Sequence, residues 1–148
     1  MTGPHAEGTG PSVGTGPYVG TMELRWSDQD LYGHVNNVRL LTLTEEARVR
    51  AAHAWGDGDV GAGTQRVVRA MTTEYEAPVQ YGPELTVKVW VARIGGTSYT
   101  LRHELWQEGR RALVCDAVMV HLDAETGRPE RISDERRALL ERRTVAED

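Results

Sequence analysis

One cysteine, Cys115, stands in the whole 148-residue chain, which excludes an internal disulfide, and no spacing of cysteine with histidine makes a zinc site. A reducing cytosol suits such a chain. Lysine is nearly missing as well: sixteen arginines stand against one lysine. The formal net charge of -5, with a pI near 5.5, gives no broad positive face for a nucleic-acid backbone or an anionic membrane. Neither is expected as a partner. No apolar run approaches the ~20 residues of a membrane helix, and residues 1–21 have neither the basic nor the apolar stretch of an export signal. A soluble, cytoplasmic protein is the expectation.

What is present is enough for one core. A chain of this length, 39% hydrophobic and 26% charged, is the size of a single domain. Residues 1–17 hold five of the sixteen glycines and three of the six prolines, so they read as a disordered tail, with the domain over 18–143. Met22 to Ser27 alternates apolar with polar and predicts a strand. Leu40, Leu43, Ala47, Ala51 and Ala54 recur at helical spacing and predict a long helix over Val38 to Ala54, with Asn36 and Asn37 as capping residues. The run Gly56 to Gly63 lacks the ending of a phosphate loop and the closing glutamate of a calcium loop, so it reads as a flexible connection.

From Gln65 to Leu122 the pattern is nearly all strand. Val67, Met71 and Tyr75 mark one face of a strand ending at Ala77-Pro78. Leu85, Val87, Val89 and Val91 mark one face of the next, with Gly95-Gly96 and Glu108-Gly109 as hairpin turns after it. Ser133 caps a last, peripheral helix with Asp134 and Glu135 in its first turn and Arg142 and Arg143 at its end. The class is α+β: an antiparallel sheet of about five strands against one long helix. A single helix covers one face, so Trp90 and Ile94 are expected on the other, exposed until a second subunit covers them. An oligomer follows.

The densest chemistry lies in Asp28-Gln29-Asp30-Leu31-Tyr32-Gly33-His34-Val35-Asn36-Asn37. It delivers carboxylates just ahead of a helix N-terminus, where free backbone N–H groups and the helix dipole favour an anion or a developing oxyanion. Asp28 and Asp30 also suit ordinary turn and capping work, and Asn36 and Asn37 suit capping alone. Cys115, between Val114 and Val118, reads as a core thiol, and nothing pairs His103 or His121 with a metal. Ser98 lacks the Gly-x-Ser-x-Gly elbow of a serine hydrolase.

Asp28-x-Asp30-x-x-Gly33-His34-Val35-Asn36-Asn37, followed by Glu45-Glu46-Ala47-Arg48, resembles the signature of the hotdog-fold acyl-CoA thioesterases of the 4-hydroxybenzoyl-CoA thioesterase type. Ala77-Pro78-Val79-x-x-Gly82-x-x-Leu85-x-Val87 and Ile94-Gly95-x-x-Ser98 are similar to later strands of that family, so the resemblance runs from about Val19 to Leu122. It implies a hotdog fold, a sheet wrapped around one long helix, assembled as a homodimer or homotetramer with active sites at the subunit interface. It further implies hydrolysis of an acyl-CoA or acyl carrier protein thioester, with CoA as part of the substrate, no cofactor and no metal.

The resemblance puts the catalytic carboxylate on Asp30 and the carbonyl-polarising N–H near Asn37, with His34 secondary. Gly33, Val35, Asn36, Ser98 and Arg93 fall on the substrate side. Arg66, Arg69 and Arg102 are further candidates for the CoA phosphates. A thioester needs an oxygen nucleophile and a stabilised carbonyl oxygen, and one oxyanion donor is worth about 3 kcal/mol. Asp30 could attack the carbonyl or draw a proton from water. Glu45 and Glu46 are second candidates, because another branch of the fold carries its glutamate on the helix. Glu46 and Arg48 also read as a solvated helical pair. A hotdog hydratase is a rival, but its Asp and His are separated by four residues, and here Asp30 and His34 have three between them. A non-catalytic acyl-CoA-binding module is the other.

Overall fold

The computed structural model describes residues 14–57 and 64–145. Its elements are β1 (Tyr18–Met22), α1 (Asn37–Ala54), β2 (Thr64–Tyr75), β3 (Leu85–Ile94), β4 (Ser98–Gln107), β5 (Arg110–Asp123) and α2 (Asp134–Glu141). The strands form one five-stranded sheet in the order β1-β3-β4-β5-β2, antiparallel throughout. This is the α+β architecture expected. Residues 1–13 of the predicted tail and 58–63 of the glycine run lie outside the described residues.

Helix α1 starts one residue earlier than its apolar period suggested and stops at Ala54. Its buried stripe is Leu40, Leu43, Thr44, Ala47, Arg48 and Ala51, and it packs on β1, β3 and β4. The sheet answers with alternate residues: Leu85, Val87, Val89 and Val91 from β3, Leu101 and Leu105 from β4, and Leu113, Cys115 and Ala117 from β5, all at most 5% exposed. Cys115 is thus the core thiol expected, and its burial pushes the thiol pKa up.

Three sequence expectations fail for local reasons. The strand placed at Met22 to Ser27 instead ends at Met22, because Trp26–Asp28 winds into a 3-10 turn. Val67 does not share a face with Met71 and Tyr75. The pairing of β2 with β5 slips between Val68 and Ala70, and one extra residue in a strand turns every later side chain over. Val68, paired with Met119, therefore lies on the helix side together with Met71 and Tyr75. Ile94 is displaced likewise. A slip between Val91 and Arg93 turns it toward the helix side, where it packs half-buried against the core.

Trp90 does lie on the face away from α1, but half-buried, and that face is largely ionic. Arg102 pairs with Asp116 at 2.8 Å, Arg111 bridges Glu76 and Glu104, and the ammonium of Lys88 sits 4.8 Å from the Trp106 ring centre. Exposed apolar side chains also lie off that face: Val68, Met71 and Tyr75 along the edge strand β2, Val38 and Val49 on α1, and Trp26, Leu31 and Tyr32 before it. Helix α2 is less peripheral than expected. Leu140 and the preceding Ile132 are fully buried, and after the helix Arg143 O accepts from Val91 N–H at 2.9 Å, extending the edge of β3 beyond β1.

The two-residue turn expected at Gly95-Gly96 is a three-residue link to Ser98, closed by Gly95 N–H donating to Ser98 O at 2.7 Å. Glu108-Gly109 is the two-residue turn expected, with φ of 52° and 73°, the doubly left-handed pair that fits strand twist.

His103 is buried under α1 with Nδ1 against Cys115 O at 3.0 Å, and burial holds its pKa down at about 4. His121, buried near Arg136 and Arg66, is also held at about 4. Both take up protons more readily unfolded than folded, so they contribute stability present above pH 6.5 that is lost as pH falls toward 4, up to about 3 kcal/mol each. Urea midpoints should fall across this window, and a His103→Gln variant should show a shallower fall than the wild type.

Candidate active site

The segment between β1 and α1 is built around Asp28. Its carboxylate is buried and accepts from Arg25 N–H at 2.8 Å, from the Arg25 guanidinium at 3.0 and 3.2 Å and from Arg39 Nε at 3.0 Å. Asp28 O then accepts from Asn36 N–H at 2.8 Å. A buried carboxylate needs this many donors, and the result is a fixed post two residues before Asp30. Asp28 is therefore a structural acid. Arg39, its second clamp, was not singled out from the sequence. Its signal would have been a cation in the first turn of a helix, where the dipole disfavours one unless an acid holds it.

Asp30 begins a tight loop. Its Oδ1 accepts from Tyr32 N–H at 2.9 Å and from His34 N–H at 3.4 Å, while Asp30 N–H donates to His34 O at 2.8 Å. Gly33 turns the loop at a φ of 76°. A Cβ there would meet nothing within 4 Å, so backbone conformation rather than space calls for glycine. The carboxylate is half-buried. His34 holds Asp30 through its backbone; among the described residues its ring makes no hydrogen bond.

The loop is pinned to the sheet by Val35 N–H donating to Val79 O at 2.7 Å. Gln107 in turn fixes the Val79 segment, with Nε2 donating to Gln80 O and Pro83 O and Oε1 accepting from Gln80 N–H. Val35 itself is 4% exposed, and its side chain packs into the core. Asn36 caps α1, its side chain accepting from Val38 N–H at 2.8 Å. That leaves Asn37 N–H, at the positive end of an 18-residue helix, with no acceptor among the described residues. Tyr75 Oη donates to Asn37 O at 3.3 Å, tying the helix start to the end of β2.

The remaining candidates lie apart. Ser98 and Arg93 flank the β3–β4 hairpin on the face away from α1, and Ser98 stands seven residues along β4 from Leu105, roughly 20 Å from the Asp30 end at strand rise. The structure does not bring them to Asp30 within one chain. Arg66 is held by Asp57 at 2.6 Å and Arg102 by Asp116. Glu46 pairs with Arg50 rather than Arg48. Arg48 is buried, not solvated: it sits four residues after Thr44 and eight after Leu40, on the buried stripe, and this spacing was the signal for it.

Asp30 does not line the apolar groove beside α1. This groove of about 500 Å³ runs along the second half of α1, between Arg48 and Ala52 on the helix and Val68, Tyr99, Leu101 and Met119 on the sheet. It opens beside the uncovered edge of β2. No described helix is long and apolar enough to cross a membrane.

Residues 24–140, which include this loop, the helix and the sheet, match the profile of the thioesterase-like superfamily. The chain belongs to that superfamily. Its relatives include the uncharacterized protein YsmA of Bacillus subtilis, 29% identical over 121 residues, with 80% of this chain and 82% of YsmA covered. Among solved structures, a predicted thioesterase from Bacillus stearothermophilus is 26% identical with a TM-score of 0.76, covering 89% of this chain and 99% of that one. A Thermus thermophilus thioesterase complexed with coenzyme A and zinc is 28% identical with a TM-score of 0.73, covering 82% and 90%. The expected hotdog thioesterase fold is the fold of this family.

The two acids should separate by mutation. Asp28→Ala strands two arginines and the Arg25 backbone N–H and is expected to cost about 2 kcal/mol. Asp30→Asn keeps an oxygen for Tyr32 and His34 N–H and should change stability by less than about 0.5 kcal/mol. Urea unfolding of both variants beside the wild type checks this.

Proposed function

We propose that the protein hydrolyses an acyl-CoA thioester to the free acid and CoA. The observation that carries this reading is the pairing of a half-buried carboxylate, Asp30, with an unclaimed amide at the start of α1, Asn37 N–H. Both lie on one segment pinned through Asp28 and Val35. The amide would hold the thioester oxygen as it turns negative, where a preorganised donor is most effective. Asp30 would supply the oxygen chemistry, by attack on the carbonyl or by activating water. The thiolate then leaves without needing a strong acid. The coenzyme A bound to the Thermus relative supports CoA as the carrier; acyl carrier protein presents the same arm.

A homodimer completes the site in this reading. Strand β2 is a long edge with Val68, Met71 and Tyr75 exposed at 39–46%, the kind of edge that invites pairing. Antiparallel pairing of two β2 strands would set the groove of one protomer beside the Asp30 loop of its partner. The chief rival is an acyl-CoA-binding module without turnover, favoured by one observation: Asp30 Oδ1 is engaged within its own turn.

A thiol-release assay over short, long and aromatic acyl-CoAs separates them. Turnover is expected, and Asp30→Asn should lower kcat at least about 100-fold, equivalent to ~2.7 kcal/mol. No release from any thioester moves the assignment to the binding module. Met71→Arg should shift the light-scattering mass from dimer to monomer and abolish turnover. An active monomer would refute the shared site.

A further inference from the structure

Arg48 is a poorly compensated charge in the described core. It is 8% exposed and lines the groove, its Nη1 is buried without an acceptor, and its one acid, Glu45, stands 3.6 Å away with a side chain 69% exposed. Desolvation accordingly lowers its pKa. A well-packed leucine or methionine would fill the same space without leaving a buried guanidinium short of partners. The far end of the groove repeats the imbalance. Asp57, itself buried, accepts from Arg66 at 2.6 Å and from Arg136 at 2.9 Å, one carboxylate between two cations. An otherwise acidic chain, of net charge -5, thus gathers surplus positive charge around an apolar groove. Apolar walls with a buried cation suit a ligand of matching build: methylenes ending in an anion.

We propose that this groove receives the acyl group and that Arg48 selects acyl chains ending in a carboxylate, the monothioesters of dicarboxylic acids. The proposal rests on the thioester reading above and adds its substrate class. The guanidinium meets the terminal carboxylate, Leu101 and Met119 cover the methylenes, and the reacting carbonyl lies at the partner's helix start. A site that depends on such a pair rejects the chain lacking it, because the buried cation is then left alone.

The test uses matched acyl-CoAs of four, six and eight carbons, each ending in methyl, hydroxymethyl or carboxylate. At the best length the carboxylate should exceed the methyl compound at least about 10-fold in kcat/KM. Arg48→Met should erase that ratio, and Arg48→Lys, which keeps the charge, should restore part of it. Equal or higher kcat/KM for the methyl or hydroxymethyl compounds at every length overturns the proposal while leaving the thioesterase reading intact. If no compound releases thiol, that reading fails instead. Isothermal titration of the same thioesters into the intact protein then decides Arg48: tighter carboxylate binding lost in Arg48→Met supports it, and equal affinities overturn it.

Discussion

Two alanines set how closely the long helix lies on the sheet. Ala47 and Ala51 are both fully buried, and with only a methyl each they let α1 approach β3 and β4 while Leu40 and Leu43 fill the wider space toward its start. Other features follow from this contact. Once α1 is seated over the middle strands, its first residue is carried to the end of the sheet where Val35 can bond Val79. The edge strand β2 is left largely uncovered, tied to the helix start through Tyr75 and Asn37 O. Small residues under the second half of the helix also leave room beside it, and the groove along Arg48 and Ala52 is that room.

The acidic loop divides its work by environment. Asp28 and Asp30 are the same residue type two positions apart, yet one is sealed under two arginines and the other is half-buried with an oxygen engaged only by its own turn. The first holds the backbone by accepting from Arg25 N–H and presenting its carbonyl to Asn36 N–H. Because that post is rigid, Asp30 and the helix start are held on one frame rather than on two independently moving pieces. Preorganisation of this sort costs stability at the loop and is recovered in the Asp28 cluster.

Period and capping were legible in the sequence: α1, the β3–β4–β5 meander, the Glu108-Gly109 turn and both capping residues, Asn36 and Ser133, stand where the pattern put them. The bulges were not. A bulge after Val68 or Val91 changes no residue type, only the count across the ladder, so Val67 and Ile94 read onto the wrong faces. The alternation of Met22 to Ser27 misled because the Asp28 carboxylate bends Trp26–Asp28 into a turn, a tertiary-scale cluster that no two-residue period reveals. Arg48 was legible by position, on the helix's apolar stripe, and was obscured by its chemistry, since an arginine beside two glutamates reads as surface. The Asp30 loop was visible as a dense run of chemical residue types, whereas its hydrogen bonds, and the depth of Val35, required the fold.

The arrangement has a direction. The positive end of α1 stands at Asn37, while Arg48 and Arg66 line the groove toward the other end of the same helix. Within one chain these two positive regions face the same edge strand from opposite ends. A two-fold axis through the middle of β2 would exchange the ends, placing the arginine-lined groove of one subunit against the amide and carboxylate of the other. A thioester lying across that junction would have its carbonyl at one subunit's helix start and its acyl terminus among the other's arginines. Within one subunit Asn37 and Arg48 stand eleven residues apart on α1, about 16 Å along its axis. The edge strand left bare by the helix is then what joins the two halves of the site.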